Sequence, residues 1–266
     1  MLFRSNPVKE FCEYRELLLN LVAKEYKAKY KGTVFGFLWS LVVPLIMVGV
    51  YWFAFGYLMR APIEDFPVYL LSGLLPWTFF SASLMSGVSS ISANASLIKK
   101  IYFPREILPI SIVLFNLVHF LLSFVILIPA LAIFGRPIRV ELYLLLPLIL
   151  IVHVVLTSGV TLLVAAWNVF FRDVQHLLEV LLMAWFFMTP IIYSYEQVAG
   201  TLRGPLIILY NINPMVGMTE LYHAVLYGAR FPGPWVVVQS ILSAVLWLVI
   251  GFAVFKRAEP RFAEEV

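Results

Sequence analysis

Gly32-Thr-Val-Phe-Gly-Phe-Leu-Trp-Ser-Leu-Val-Val-Pro-Leu-Ile-Met-Val-Gly-Val-Tyr-Trp-Phe-Ala-Phe-Gly-Tyr-Leu-Met59 contains no Asp, Glu, Lys or Arg. A helix needs roughly 20 apolar residues to cross the hydrocarbon of a bilayer, and this stretch has enough. Charge-free stretches recur at 66–98, 107–135, 142–171, 180–195 and 231–255. The chain of 266 residues is 62% hydrophobic and 13% charged. Soluble domains are about half apolar and about a quarter charged, so one soluble core cannot hide this surplus. The pattern predicts an all-α membrane protein with six transmembrane helices. It forms one domain over 1–266: an N-terminal interface helix within 1–33, a bundle over 34–255 and a tail over 256–266. The fifth stretch is short. The segment after it, 204–219, is apolar but broken by Gly204, Pro205, Asn211, Asn213 and Pro214. It reads as a re-entrant element before the last helix, which membranes tolerate only where protein or water shields the backbone.

Six crossings place both termini on one side, and Lys/Arg bias chooses it. With the N-terminus inside, fourteen basic residues lie on the cytoplasmic side and five outside. Arg136 and Arg139 are local exceptions. The expected location is the cytoplasmic (inner) membrane, multi-pass, with both termini cytoplasmic. The net charge of +4 comes from residues in short loops between apolar runs. That distribution suits anionic headgroups and not nucleic acid. A single cysteine, Cys12, allows neither an intrachain disulfide nor a cysteine zinc cluster. Met1–Lys31 carries charges of both signs and reads as no cleavable signal peptide.

That same segment has its own pattern. Asn6-Pro7 reads as a cap followed by proline in the first helical turn. Phe11, Tyr14, Leu18, Leu21 and Val22 recur on one face, with Glu13, Asn20, Lys24, Lys27 and Lys31 on another. Such a helix lies in the membrane interface.

The chemistry that is missing is equally informative. No GxxxxGK[ST] loop occurs, so the chain lacks the backbone cradle for ATP phosphates. No HExxH or GxSxG occurs. His119 and His153 fall within spans and are read as satisfied interhelical hydrogen bonds. Intramembrane charge is nearly absent, whereas ion-coupled transporters usually need it. Glu179 is the nearest candidate, and it is expected to pair with Arg172. The chain is therefore no enzyme and holds no cofactor, metal or catalytic residue. Energy for active transport has to come from a separate ATPase.

Several short strings carry more. Tyr30 and Trp39 are interfacial anchors, Gly32 and Gly36 at four-residue spacing allow close helix approach, and Pro44 interrupts the helix ladder. Ala82, Ser86, Ser90 and Asn94 form a small-residue stripe for helix packing. Ser96–Ile107 is a short basic element interrupted by Pro104, in which Lys99, Lys100 and Arg105 face headgroups or a partner. Ile101 and Phe103 are placed to enter a partner's groove.

The string from Lys29 to Pro44 resembles the ABC-2 family of polysaccharide exporter permeases, the transmembrane subunits for O-antigen, capsule and teichoic acid export. The signature falls on Tyr30, Gly36, Trp39 and Pro44. The resemblance continues through Tyr69–Trp77, Asn94–Pro109, Phe170-Phe-Arg172-Asp173, Thr189-Pro190-Ile-Ile-Tyr193 and Asn213-Pro-Met215. It implies a homodimer with two copies of an ATPase subunit that binds ATP and Mg. The cargo is a polyprenyl-pyrophosphate-linked polysaccharide such as O-antigen. It implies that Asn94, Lys99, Lys100, Ile101, Tyr102, Phe103, Pro104 and Arg105 form the loop that couples to the ATPase. It also implies that the first and fifth spans line the path. Trp39, Phe53 and Tyr57 on one stripe, and Met183, Phe186 and Tyr193 on the other, are the lining candidates. Lys24 and Lys27 are candidates for guiding the pyrophosphate. Teichoic acid, capsule, a lipid or a small molecule are alternative cargoes, and an ion-coupled transporter is the alternative from another class.

Overall fold

The computed structural model describes residues 14–136 and 143–266. Asn6, Pro7, Phe11, Cys12, Glu13 and Arg139, which carry expectations above, lie outside them. Every regular element among the described residues is helical. Helix α1 covers Arg15–Tyr30 and ends at the turn where Gly32 takes φ +78°. Helix α2, Trp39–Tyr51, continues as a wider π-type helix over Trp52–Leu58. Helix α3 spans Phe66–Gly87, and the short α4 is Ala95–Lys100. The long helices α5, Ile107–Ile133, and α6, Leu146–Phe170, follow. Next come α7, Val174–Phe187, and three short helices: α8 (Tyr195–Thr201), α9 (Pro205–Ile212) and α10 (Pro214–Tyr222). A π-type turn, His223–Tyr227, extends α10. Helix α11 is Pro234–Ala258, and a final turn, α12, is Phe262–Glu265.

Prolines open α9, α10 and α11, where the missing N–H costs nothing because first-turn donors have no helical partner. Ser194 and Gln197 form a reciprocal cap at the start of α8.

Among the described residues, five helices are long and apolar enough to cross a membrane: Trp39–Leu58, Phe66–Gly87, Ile107–Ile133, Leu146–Phe170 and Pro234–Glu265. The chain is a multi-pass membrane protein. The fifth expected span differs from its forecast. Helix α7 starts at Val174 instead of near 180 and stops at Phe187, so it is about 21 Å long. Pro190 ends it, since proline has no N–H to continue the ladder. The broken segment 204–219 becomes α9 and α10, hinged at Asn213.

Helix α3 sits at the centre, with 78% of its apolar window buried, against 11% for α2. Helix α2 is therefore peripheral within one chain. Helices α6 and α11 meet at two glycines. A Cβ added at Gly251 would lie 1.9 Å from the Gly159 carbonyl oxygen, and one at Gly159 would lie 2.4 Å from the Leu248 nitrogen. Small residues let backbones touch in this way, and packing is what holds helices together where lipid offers no hydrophobic drive. The expected stripe plays a different part. Ala82 lines a groove, Ser86 is exposed, and Ser90 and Asn94 are buried. Gly32 and Gly36 also differ from expectation. A Cβ on either would meet nothing within 4 Å, and both have positive φ. They serve the turn before α2, not a close helix contact.

Two apolar clusters organise the chain. The larger surrounds α3. The smaller joins Leu21, Ile98, Phe103, Ile107, Phe255 and Phe262 at one end of the bundle. At the other end Arg136 Nε donates to Asp65 Oδ2 at 2.6 Å, and its guanidinium lies 4.4 Å over the Tyr227 ring. Arg136 breaks the basic-residue bias but is held by a carboxylate.

Candidate functional site

The loop between α3 and α5 is the first candidate. Helix α4 ends in Lys99 and Lys100, and the chain then runs extended through Ile101. Ile101 is 58% exposed and Tyr102 92%, while Phe103 is 3% exposed and packs in the smaller cluster. Phe103 therefore does not enter a partner's groove, contrary to the expectation above. Lys99, Lys100, Ile101 and Tyr102 form the outward face. Arg105 does not face headgroups either. Its side chain donates to the Glu259 carbonyl, and its N–H donates to Glu259 Oε1 at 3.3 Å. Pro104 is buried.

Helix α1 grips the other end of this loop. Lys24 Nζ donates to Asn94 Oδ1 at 2.7 Å, and Asn94 Nδ2 donates to the Ser90 carbonyl at 2.9 Å. Lys27 is exposed. The end of α1 is tied to α5. Tyr30 Oη donates to His119 Nε2 at 2.5 Å, and His119 Nδ1 donates to the Phe115 carbonyl at 2.9 Å. Burial pushes the Tyr30 phenol up from its ordinary range, which keeps it a donor. His119 is thus a satisfied interhelical bond. His153 is only half so: its Nδ1 meets the Tyr222 hydroxyl at 3.2 Å, while its buried Nε2 has no hydrogen-bond partner among the described residues.

The second candidate is a groove of about 470 Å³ between α2, α3 and α7. Val43, Pro44, Met47 and Tyr51 form one wall, Trp77, Ser81 and Ala82 another, and Glu179, Met183 and Phe186 the third. Phe186 is buried in it, with its ring stacked 5.5 Å from Tyr51. Met183 and Phe186 thus belong to one wall, as the stripe on the fifth span implies. On the first span the stripe is offset. Trp39, Phe53 and Tyr57 are exposed and outside the groove, and the adjacent face, Pro44, Met47 and Tyr51, lines it. Glu179 stands at this groove and makes no ion pair with Arg172. The ion pairs among the described residues join Arg136 to Glu64 and Asp65, and Lys256 to Glu106 and Glu259. Arg172 and Asp173 are exposed in the turn before α7.

Tyr193 lies elsewhere, in an open groove of about 430 Å³ with Phe187, Gln197, Thr201 and Tyr210. The Tyr69 hydroxyl donates to the Tyr193 carbonyl at 2.9 Å. Tyr69 is near the start of α3, where Asp65 meets Arg136. Helix α7 starts beside Phe170, which contacts Phe262 at the opposite end. The segment 174–193 therefore runs from one end of the bundle to the other.

Two residues, His223 and Asn213, bind this region together through partners that the sequence does not reveal. His223 Nε2 donates to the Pro190 carbonyl at 2.9 Å, and Ser72 Oγ donates to His223 Nδ1 at 2.8 Å. Asn213 accepts from Trp185 Nε1 at 2.7 Å and from the Met215 N–H at 2.9 Å, and donates to the Met188 carbonyl at 3.0 Å. At the opposite end, beside the loop, Lys256 contacts both carboxylate oxygens of Glu106 at 2.9 Å. The strings around Ser72, Pro190 and Asn213 were noticed as motifs, but nothing in them names the partner.

Comparison with known proteins adds to this geometry. The ABC-2 type transporter family matches residues 16–227. The O-antigen export system permease protein RfbA of Myxococcus xanthus is 34% identical over 267 residues, covering 97% of this chain and 98% of that protein. The permease of the same name from Klebsiella pneumoniae is 31% identical over 249 residues, 94% of each chain. The polysialic acid transport protein KpsM of Escherichia coli is 26% identical over 250 residues, 90% of this chain and 92% of that one. An all-helical bundle of long apolar helices, a loop with an outward basic and aromatic face, and a family match over most of the chain agree: this protein belongs to the ABC-2 type transporter family, as a membrane permease subunit and not an enzyme.

Proposed function

We propose that this chain is the permease of an exporter that moves a polyprenyl-pyrophosphate-linked polysaccharide such as O-antigen across the cytoplasmic membrane. The observation that carries the cargo class is the likeness, over nearly the whole of both chains, to permeases named for O-antigen export. The likeness to a polysialic acid transporter is weaker and makes a capsular glycan the second reading. Two copies of this chain pair with two ATPase chains, which bind ATP and Mg. In this reading α7, together with 188–193, is the sixth crossing. Its end-to-end course through the bundle supports that count, and the count places both termini in the cytoplasm.

The outward face of Lys99, Lys100, Ile101 and Tyr102 docks the ATPase. The exposed apolar stripe of Trp39, Phe53 and Tyr57 suits the second protomer. The groove of Met47, Tyr51, Met183 and Phe186 becomes part of the glycan path when two protomers face each other, because aromatic faces suit sugar rings. Helices α9 and α10 act as the outer gate or channel wall. Lys24 and Lys27 guide the pyrophosphate, with a phosphate oxygen displacing Asn94 from Lys24. Arg172 and Asp173, exposed on the loop side, face the ATPase.

Purification of the chain from its native membranes tests this reading. A stoichiometric ATPase chain should co-purify, and depletion of the permease should leave lipid-linked glycan on the cytoplasmic side. A chain that purifies alone and transports without ATP would replace the reading with an ion-coupled one.

A further inference from the structure

We propose that Lys256–Phe262, the segment after the last span, is a clamp that positions the coupling loop, and that it sets how much glycan leaves per ATP hydrolysed. This rests on the reading that the loop docks the ATPase. It assigns a role to residues outside both candidate sites.

The clamp has a polar and an apolar part. Glu106 is 1% exposed and lies at the N-terminus of α5, where the helix dipole favours a carboxylate. Lys256 holds both of its oxygens at 2.9 Å. Lys256 also meets Glu259 Oε2 at 3.0 Å. Glu259 returns to the loop, accepting the Arg105 N–H at its carboxylate and the Arg105 guanidinium at its carbonyl. Phe262 is fully buried, 5.1 Å from the Phe255 ring, and sits in the same cluster as Ile98 and Phe103. These contacts join positions about 150 residues apart in sequence.

The loop has little structure of its own to resist a load. Helix α4 has six residues, and Ile101 to Pro104 are outside any helix. A push on Ile101 and Tyr102 passes directly into α5 through Pro104–Glu106. It reaches α11 through Lys256 and Glu259 and through the apolar cluster that Phe255 and Phe262 share with Phe103. With the clamp closed, α5 and α11 move as one body. With it open, the loop yields and α11 stays behind. A buried ion pair is a poor means of adding stability, because desolvation offsets its attraction. It does fix one geometry, which is what a lever needs.

The test uses the full permease–ATPase complex in proteoliposomes, comparing K256M, K256R, E259A and Y102A with wild type. Binding of the ATPase, ATP hydrolysis and glycan export are read separately. K256M and E259A should bind the ATPase and hydrolyse ATP as wild type does. Export per ATP should fall about five-fold or more, the range over which coupling residues act. K256R should restore most of it. E259A leaves Glu106 paired, so it reports even where K256M is lost to misfolding. Unchanged export per ATP in E259A, or equal loss in K256M and K256R, overturns the clamp. A Y102A complex that binds, hydrolyses and exports as wild type removes the docking reading instead, and the clamp with it.

Discussion

The His223 imidazole and the Tyr69 ring lie face to face, with centroids 3.9 Å apart and planes within 10°. Gly73, one turn along α3 from Tyr69, makes this possible. A Cβ there would come within 2.9 Å of His223 Cε1. The string Tyr69-Leu-Leu-Ser72-Gly73 is thus a cradle: Tyr69 stacks on the ring, Ser72 bonds it, and Gly73 leaves it room. His223 in turn fixes the Pro190 carbonyl, at the bend that ends α7. G73A should destabilise the permease by about 1–3 kcal/mol, the usual cost of overpacking. Thermal unfolding in detergent measures this. In an H223A background the same substitution should cost much less, because neighbouring sites do not add.

That cradle shows where the sequence could be read and where it could not. The long apolar helices were legible because each is a local run of composition. The outward face of Lys99–Tyr102 was legible because its residues are too large and too basic for a mere turn. Phe103 was misjudged because nothing local separates it from Ile101: both are large and apolar, and only the tertiary fold buries Phe103, in the cluster with Phe255 and Phe262. Helix α7 was misplaced because Arg172, Asp173 and Glu179 displaced the charge-free window from the helix itself. The partners of His223, Asn213 and Glu106 were hidden for another reason. Each lies on a distant element, and only the tertiary fold brings it near.

Gly251 gives a sharper test of packing. Its hydrogen faces the Gly159 carbonyl, and a Cβ would lie 1.9 Å from that oxygen. That neighbour is backbone and cannot rotate away, so α11 would have to shift from α6. G251A should lower the yield of folded permease and its unfolding temperature, whereas G200A, with nothing within 4 Å, should not. Equal behaviour of the two variants in a detergent melt would mean that α6 and α11 are not in backbone contact.

The loop's two faces predict opposite phenotypes. I101A and Y102A remove exposed side chains, and surface substitutions usually change stability by less than about 0.5 kcal/mol. They should leave the melting temperature unchanged and weaken ATPase co-purification. F103A removes a buried ring and should cost about 3–5 kcal/mol. It should lower the melting temperature first, with loss of the ATPase following from that. A stable F103A that fails to bind the ATPase would return Phe103 to the docking face.

Arg136 tests the end of the bundle opposite the loop. It bonds Asp65 at 2.6 Å, lies over Tyr227, and reaches Glu64 at 3.4 Å. A charge-assisted bond of this kind is worth roughly 1.5–3 kcal/mol. R136Q should lower the melting temperature, and D65N should add little once Arg136 is gone. The pair is partly exposed, so raising salt should narrow the gap between wild type and R136Q. Additive losses in the double variant would show that the two residues act independently.

The groove between α2, α3 and α7 makes the most direct claim on transport. Met183 is exposed at its wall and flexible, and Phe186 and Trp77 form the surface behind it. A tryptophan at 183 would occupy space in the groove without disturbing the buried face of α7, which Leu178, Leu182 and Phe186 supply. M183W should therefore fold, reach the membrane and hold its ATPase, yet export poorly. V180W is the control, since Val180 is equally exposed on α7 but is not among the residues that line the groove. Export measured in cells expressing each variant at equal level decides the matter. Loss in M183W alone places the glycan path along this groove. Equal loss in both would mean that α7 tolerates no bulk on either side, and the path would have to be sought along another face.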